Sequence, residues 1–129
     1  MATVGRRTLL IPSTCEYYGV SHLLMKTYNK LIRDKIPQIM TAKRITYSIR
    51  ELDDLEYIQK LNEKLQEEMN EYLEADHKDQ VEEFADLVEL VYAIQNKKGM
   101  SVEEFEKVRL KKQAERGGFE KKLLLLDTE

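Results

Sequence analysis

A chain of 129 residues with a formal net charge of −3 and 35% charged side chains suffices for one domain with a modest core and is too short for two comfortable ones. Near-balanced charge argues against a dedicated nucleic-acid binder, which carries a basic excess on one face. One cysteine, Cys15, and two histidines, His22 and His77, leave no intramolecular disulfide and no zinc site of the usual kind.

Residues 1–24 show neither a helical nor a strand period and are expected to form a poorly structured N-terminal extension, with the folded domain spanning 25–129. The apolar stretch after Arg6-Arg7 is too short for a signal peptide and is broken by Pro12. No run along the chain is long and apolar enough to span a membrane, so the expected setting is the cytoplasm.

Asp34 is placed to cap a short helix with Pro37 in its first turn. In the stretch RITYSIR, Ile45, Tyr47 and Ile49 alternate with polar neighbours, which predicts a short strand near 44–50. Asp53 with Glu56 resembles a capping box, and Leu52 and Tyr57 stand at the staple positions. A long helix is predicted from there to about Ala75, followed by the polar break DHKD. A second long helix runs from about Asp79 to Lys98 and stops at Gly99. Ser101 and Glu104 open a third with another capping box, and Gly117-Gly118 close it. The tail FEKKLLLL offers either a strand near 119–126 pairing with Ile45–Ile49 or an apolar strip laid on a mostly α-helical bundle.

Helical phase makes the acidic residues worth a closer look, at about 100° per residue. With Glu68 at zero, Leu61, Tyr72 and Leu65 fall within about 60° of it on the apolar stripe, while Glu71 lies at about −60°. Glu63, Glu67 and Glu74 point away. On the second helix Glu83 stands among Leu87, Leu90 and Ile94, in the middle of the face that should be buried, with Asp86 at about −60°. An ionised carboxylate there requires a partner or a neutralised state. No Arg or Lys shares its immediate turn on that face. A metal ion would answer the need: two helices each offering an acid pair at i and i+3 form an all-oxygen cage suited to Mg²⁺ or Mn²⁺. Spacing alone is weak in so glutamate-rich a chain, so the phase of Glu83 carries the argument. Glu74 and His77 form an E-x-x-H, but di-iron bundles need two such motifs on separate helices.

EEMNE followed by EFADL, flanked by YNKLIRDKIP and ERGGFEKKLLL, resembles the MazG-like all-alpha nucleoside triphosphate pyrophosphatases, in particular their phosphoribosyl-ATP pyrophosphohydrolase-like subgroup. The resemblance covers about Lys26 to Leu126. It implies a Mg²⁺-dependent hydrolase that cleaves a nucleoside triphosphate, modified or non-standard ones included, or phosphoribosyl-ATP, to the monophosphate and pyrophosphate. It also implies metal ligation by Glu68, Glu71, Glu83 and Asp86, with Glu67 helping through water or a second ion. Lys30, Arg33 and Lys35 of the first motif and Arg116 of the last are its candidate phosphate-binding and charge-stabilising cations. By phase, Lys64 and Lys97 share the Glu68 and Glu83 faces and could also reach phosphates; solvated lysines are the plain alternative. The rival function is a non-catalytic helical regulatory or interaction module that keeps the fold. The second long helix, apolar on most of its circumference, needs cover on several sides. Together with the dimers and dimers of dimers of the resembling family, this predicts a homodimer or higher homo-oligomer with the Val88–Tyr92 side near the interface.

Overall fold

A computed structural model of the chain describes residues 26–129, together with two two-residue strands, β1 (Ile11–Pro12) and β2 (Leu23–Leu24), which pair antiparallel with Ile11 opposite Leu24. Those four residues apart, the expected extension over 1–24 lies outside the described residues. The other regular elements are four helices: α1 (Ile36–Ala42), α2 (Asp54–Glu74), α3 (Gln80–Lys97) and α4 (Val102–Arg116). Among the described residues no helix is long and apolar enough to cross a membrane.

Local chemistry explains most of the boundaries. The Asp53 carboxylate caps α2 by accepting from the Glu56 N–H at 2.9 Å. The box stays half-made, because the Glu56 side chain turns instead to Arg50, whose Nη1 donates to it at 2.8 Å. Ser101 and Glu104 complete a reciprocal capping box on α4. Gly99 and Gly117 adopt φ of +88° and +81°, which releases the chain after α3 and α4 at positions where a Cβ would be strained. Asp34 does not cap α1. The cap position falls to Lys35 without a side-chain bond, and the Ile36 N–H donates to the Arg33 carbonyl at 3.0 Å, a backbone turn doing the work expected of the carboxylate.

Helices α2 and α3 form the principal interface of the molecule. They run antiparallel: Tyr72, near the end of α2, lies 4.2 Å centroid to centroid from Phe84 near the start of α3, and Lys97 at the end of α3 pairs with Asp54 at the start of α2 at 2.8 Å. Leu61, Leu90 and Ile94 form the core between them, lined by Leu31, Tyr57, Ile58, Leu65 and Ala93. Helix α4 joins through an edge-on Tyr92–Phe105 contact with centroids 6.2 Å apart.

Neither short strand foreseen near 44–50 and 119–126 forms. Thr46 makes a single isolated bridge, and 119–126 has no regular ladder. The alternation over 45–49 sorts its side chains only in part: Tyr47 is buried and Ile45 half-buried, but Ile49 is exposed. A strand needs a neighbour to satisfy its backbone groups, and the tail does not supply one: Phe119 and Leu123 to Leu126 are all largely exposed.

Candidate active site

The hairpin of α2 and α3 sets the acidic residues against one another. Glu68, Glu83 and Asp86 each direct one carboxylate oxygen into a cluster in which these oxygens all lie within 4.8 Å. Glu68 is buried at 6% exposure; Glu83 and Asp86 are half-buried. Lys64, one turn before Glu68, pairs with its Oε1 at 3.3 Å. Glu68 Oε2 and Glu83 Oε2 are both buried with no protein hydrogen-bond partner, a costly condition for carboxylate oxygens.

The electrostatics agree with the geometry. Desolvation, followed by the neighbouring Glu68, Glu71 and Asp86, pushes the Glu83 carboxyl above its ordinary range. Glu71, one turn after Glu68, is raised chiefly by desolvation and next by Glu68. It adjoins the cluster on an exposed turn but is not one of the three residues whose oxygens converge.

The chain before α1 brings cations to the rim. Arg33 Nη2 lies 2.5 Å from Asp86 Oδ1, and Lys30 Nζ lies 3.6 Å from Glu67 Oε2. Between this segment and α2 is an open groove of about 210 Å³ lined by Lys30, Lys60 and Lys64 among others. Lys60 is missing from the residues singled out by sequence although it stands one turn before Lys64, a spacing that places both on one face.

Two of the sequence-derived cations are not brought near the cluster by any contact. Lys97 shares the face of Glu83 but sits about 21 Å along the helix from it, tied to Asp54; a phase projection collapses the helix axis and hides this separation. Arg116 ends α4, exposed and without an ion pair among the described residues. Lys35 is exposed at the start of α1. Glu63 pairs with Lys60 at 3.0 Å and lines the same groove with Glu67, and Glu74 is exposed at the end of α2. His77 stands in the turn between α2 and α3. Among the described tyrosines, Tyr47 is buried with its hydroxyl 3.2 Å from Thr41 Oγ1, while Tyr72 and Tyr92 pack on Phe84 and Phe105. Tyr28 is the exposed one.

The model of the phosphoribosyl-ATP pyrophosphohydrolase family matches residues 25–112, a span that contains the entire acidic cluster. No curated protein and no solved structure matches the chain.

Proposed function

The chain belongs to the phosphoribosyl-ATP pyrophosphohydrolase family, and from that premise we propose that it hydrolyses a nucleoside triphosphate, standard or modified, or phosphoribosyl-ATP. Water adds across the anhydride between the first and second phosphates, giving the monophosphate and pyrophosphate.

The observation that carries this reading is the pair of buried, unpartnered oxygens Glu68 Oε2 and Glu83 Oε2 beside Asp86. An all-carboxylate donor set with free lone pairs fits a hard divalent cation, Mg²⁺ or Mn²⁺. Glu68, Glu83 and Asp86 would hold it, with Glu71 next to them. Bound there, such an ion supplies positive charge to phosphate oxygens and acidifies water.

The remaining roles fall to the chain's own side chains. Lys64 offsets the charge of Glu68 and leaves the unpartnered oxygens free for the ion. Glu67, on the rim beside Lys30, is placed to accept hydrogen bonds from water and to orient it. Arg33, Lys30 and Lys64 give a cationic margin that binds phosphate and offsets the negative charge that grows as the anhydride breaks. Lys35 belongs to the same segment and would extend that margin. Lys97 and Arg116 would reach a substrate only from a second copy of the chain or through a different packing of α4.

That second copy is part of the proposal. Val81 and Val88 expose the first half of the outer face of α3, at 72% and 46%, while α4 covers the second half through Phe105 on Tyr92. A homodimer, or a higher homo-oligomer, would bury the open half.

The test is release of pyrophosphate from a panel of nucleotides that includes phosphoribosyl-ATP, with Mg²⁺, with Mn²⁺ and with chelator. Release from at least one substrate, abolished by chelator, is expected. No release from any of them with either metal would leave the non-catalytic helical module as the better reading.

A further inference from the structure

Two ion pairs tie the segment before α1 across the mouth of the acidic cluster. Lys30 reaches Glu67 on α2 and Arg33, three residues on, reaches Asp86 on α3. The two unpartnered oxygens, on Glu68 and Glu83, belong to the same two helices that these pairs bridge. The counter-charges of the cluster thus come in two kinds. Lys64 is fixed beside Glu68 by the i, i+4 geometry of one helix, and its side chain is only 24% exposed. Arg33 comes from non-helical chain 53 residues away in sequence, with 54% of its side chain exposed and 40% of Asp86's. The segment that carries it is anchored by Leu31 on the core and by the Ile36 N–H on the Arg33 carbonyl, so the side chain can change partner while the backbone stays.

We infer that Arg33 is an exchangeable counter-ion: it neutralises Asp86 in the cation-free protein and passes to a substrate phosphate when a divalent cation engages Asp86. This rests on the metal-dependent reading of the site and extends it. Three arguments lead to it. A guanidinium at 2.5 Å neutralises Asp86 through Oδ1, so a divalent cation engaging the same carboxylate places like charge beside it and weakens its hold. The planar fork that binds a carboxylate binds a phosphate equally well, so Arg33 keeps its hydrogen bonds when it changes partner. And exposed ion pairs are weak, which makes this contact, unlike that of Lys64, easy to give up. The consequence is coupling: Arg33 opposes the metal bound alone, and favours metal and polyphosphate bound together.

The test is calorimetric titration of the full chain with Mn²⁺, and with inorganic pyrophosphate in the presence and absence of Mn²⁺, in the parent protein, Arg33→Gln and Arg33→Lys. Circular dichroism and melting temperature check that both variants fold. Arg33→Gln should bind Mn²⁺ alone more tightly, by about two- to fivefold given the modest strength of an exposed pair. The tightening of pyrophosphate by Mn²⁺ should shrink in that variant, and Arg33→Lys should restore part of it. Chelation of Mn²⁺ by free pyrophosphate is common to all three titrations and cancels in the comparison. Equal or weaker Mn²⁺ affinity in Arg33→Gln overturns the exchange and leaves the proposed reaction standing. Absence of Mn²⁺ binding in all three proteins overturns the metal-dependent reaction and the exchange together.

Discussion

Glu68 on α2 and Glu83 on α3 bring carboxylate oxygens within 4.8 Å of each other, and each keeps a second, buried oxygen with no protein partner. Two acids so placed repel when both are charged. Lys64, 3.3 Å from Glu68, relieves part of that repulsion, and a proton or a further cation would relieve the rest.

Glu83→Gln removes one of the converging acids. Metal binding and pyrophosphate release should be lost, while the metal-free protein melts about 2–6 °C higher near neutral pH, the shift expected from relieving one buried repulsion in a domain of this size. Glu74→Gln, at the exposed end of α2, should change neither activity nor melting. Differential scanning fluorimetry with the nucleotide assay compares them; equal loss in both variants would remove the burial argument.

The raised Glu83 and Glu71 carboxyls set a direction for pH. A carboxyl whose folded pKa lies above its unfolded value binds more protons when folded, so its contribution to stability is present below the ordinary pKa and is lost as pH rises through the raised one. The metal-free protein should lose melting temperature across that interval, and Mn²⁺ affinity should increase over the same interval as the ligands ionise. Glu56 and Glu106, lowered by Arg50 and Arg109, act oppositely, but only below the ordinary carboxylate pKa, so the two effects separate. Melting curves from pH 4 to pH 8 with and without Mn²⁺ read both; a metal-free Glu83→Gln protein with the parent's slope would contradict the assignment.

Lys64→Met should destabilise the metal-free protein by about 1–2 kcal/mol, because it leaves the buried Glu68 carboxylate without its partner. Mn²⁺ should recover most of that loss, giving a larger metal-induced thermal shift than in the parent. A smaller shift would mean that Lys64 helps to bind the ion.

Lys97→Ala removes an exposed pair at the far end of the hairpin. Stability should change by less than about 0.5 kcal/mol and kcat/KM by less than about twofold, since such exposed substitutions rarely propagate. A tenfold loss in kcat/KM would mean that Lys97 reaches a site in another subunit.

Val81→Asp or Val88→Asp on the open half of α3 should convert a sedimenting dimer to a monomer, because a charge on an apolar interface is left desolvated. Sedimentation equilibrium at micromolar concentration decides it, and a parent protein of clean monomer mass with full activity would refute the assembly.

Residues near one another in sequence determined much of this molecule by themselves. Asp53, Ser101, Glu104, Gly99 and Gly117 mark the helix ends because capping bonds and positive φ are local events. The apolar period around Glu68 and Glu83 placed both acids toward a core, and the structure buries Glu68 and one oxygen of Glu83. Which helix faces which needed the tertiary fold. The antiparallel hairpin is what sends Lys97 to Asp54, whereas Lys64 beside Glu68 is an i, i+4 pair made within α2 alone. The fold also paired Arg33 with Asp86, 53 residues apart, a contact that no periodicity encodes. Strand pairing failed to follow from alternation for the same reason. Ile45–Ile49 carries the pattern of a half-buried strand, but a ladder is made with a neighbour, and only the packed chain decides whether one arrives.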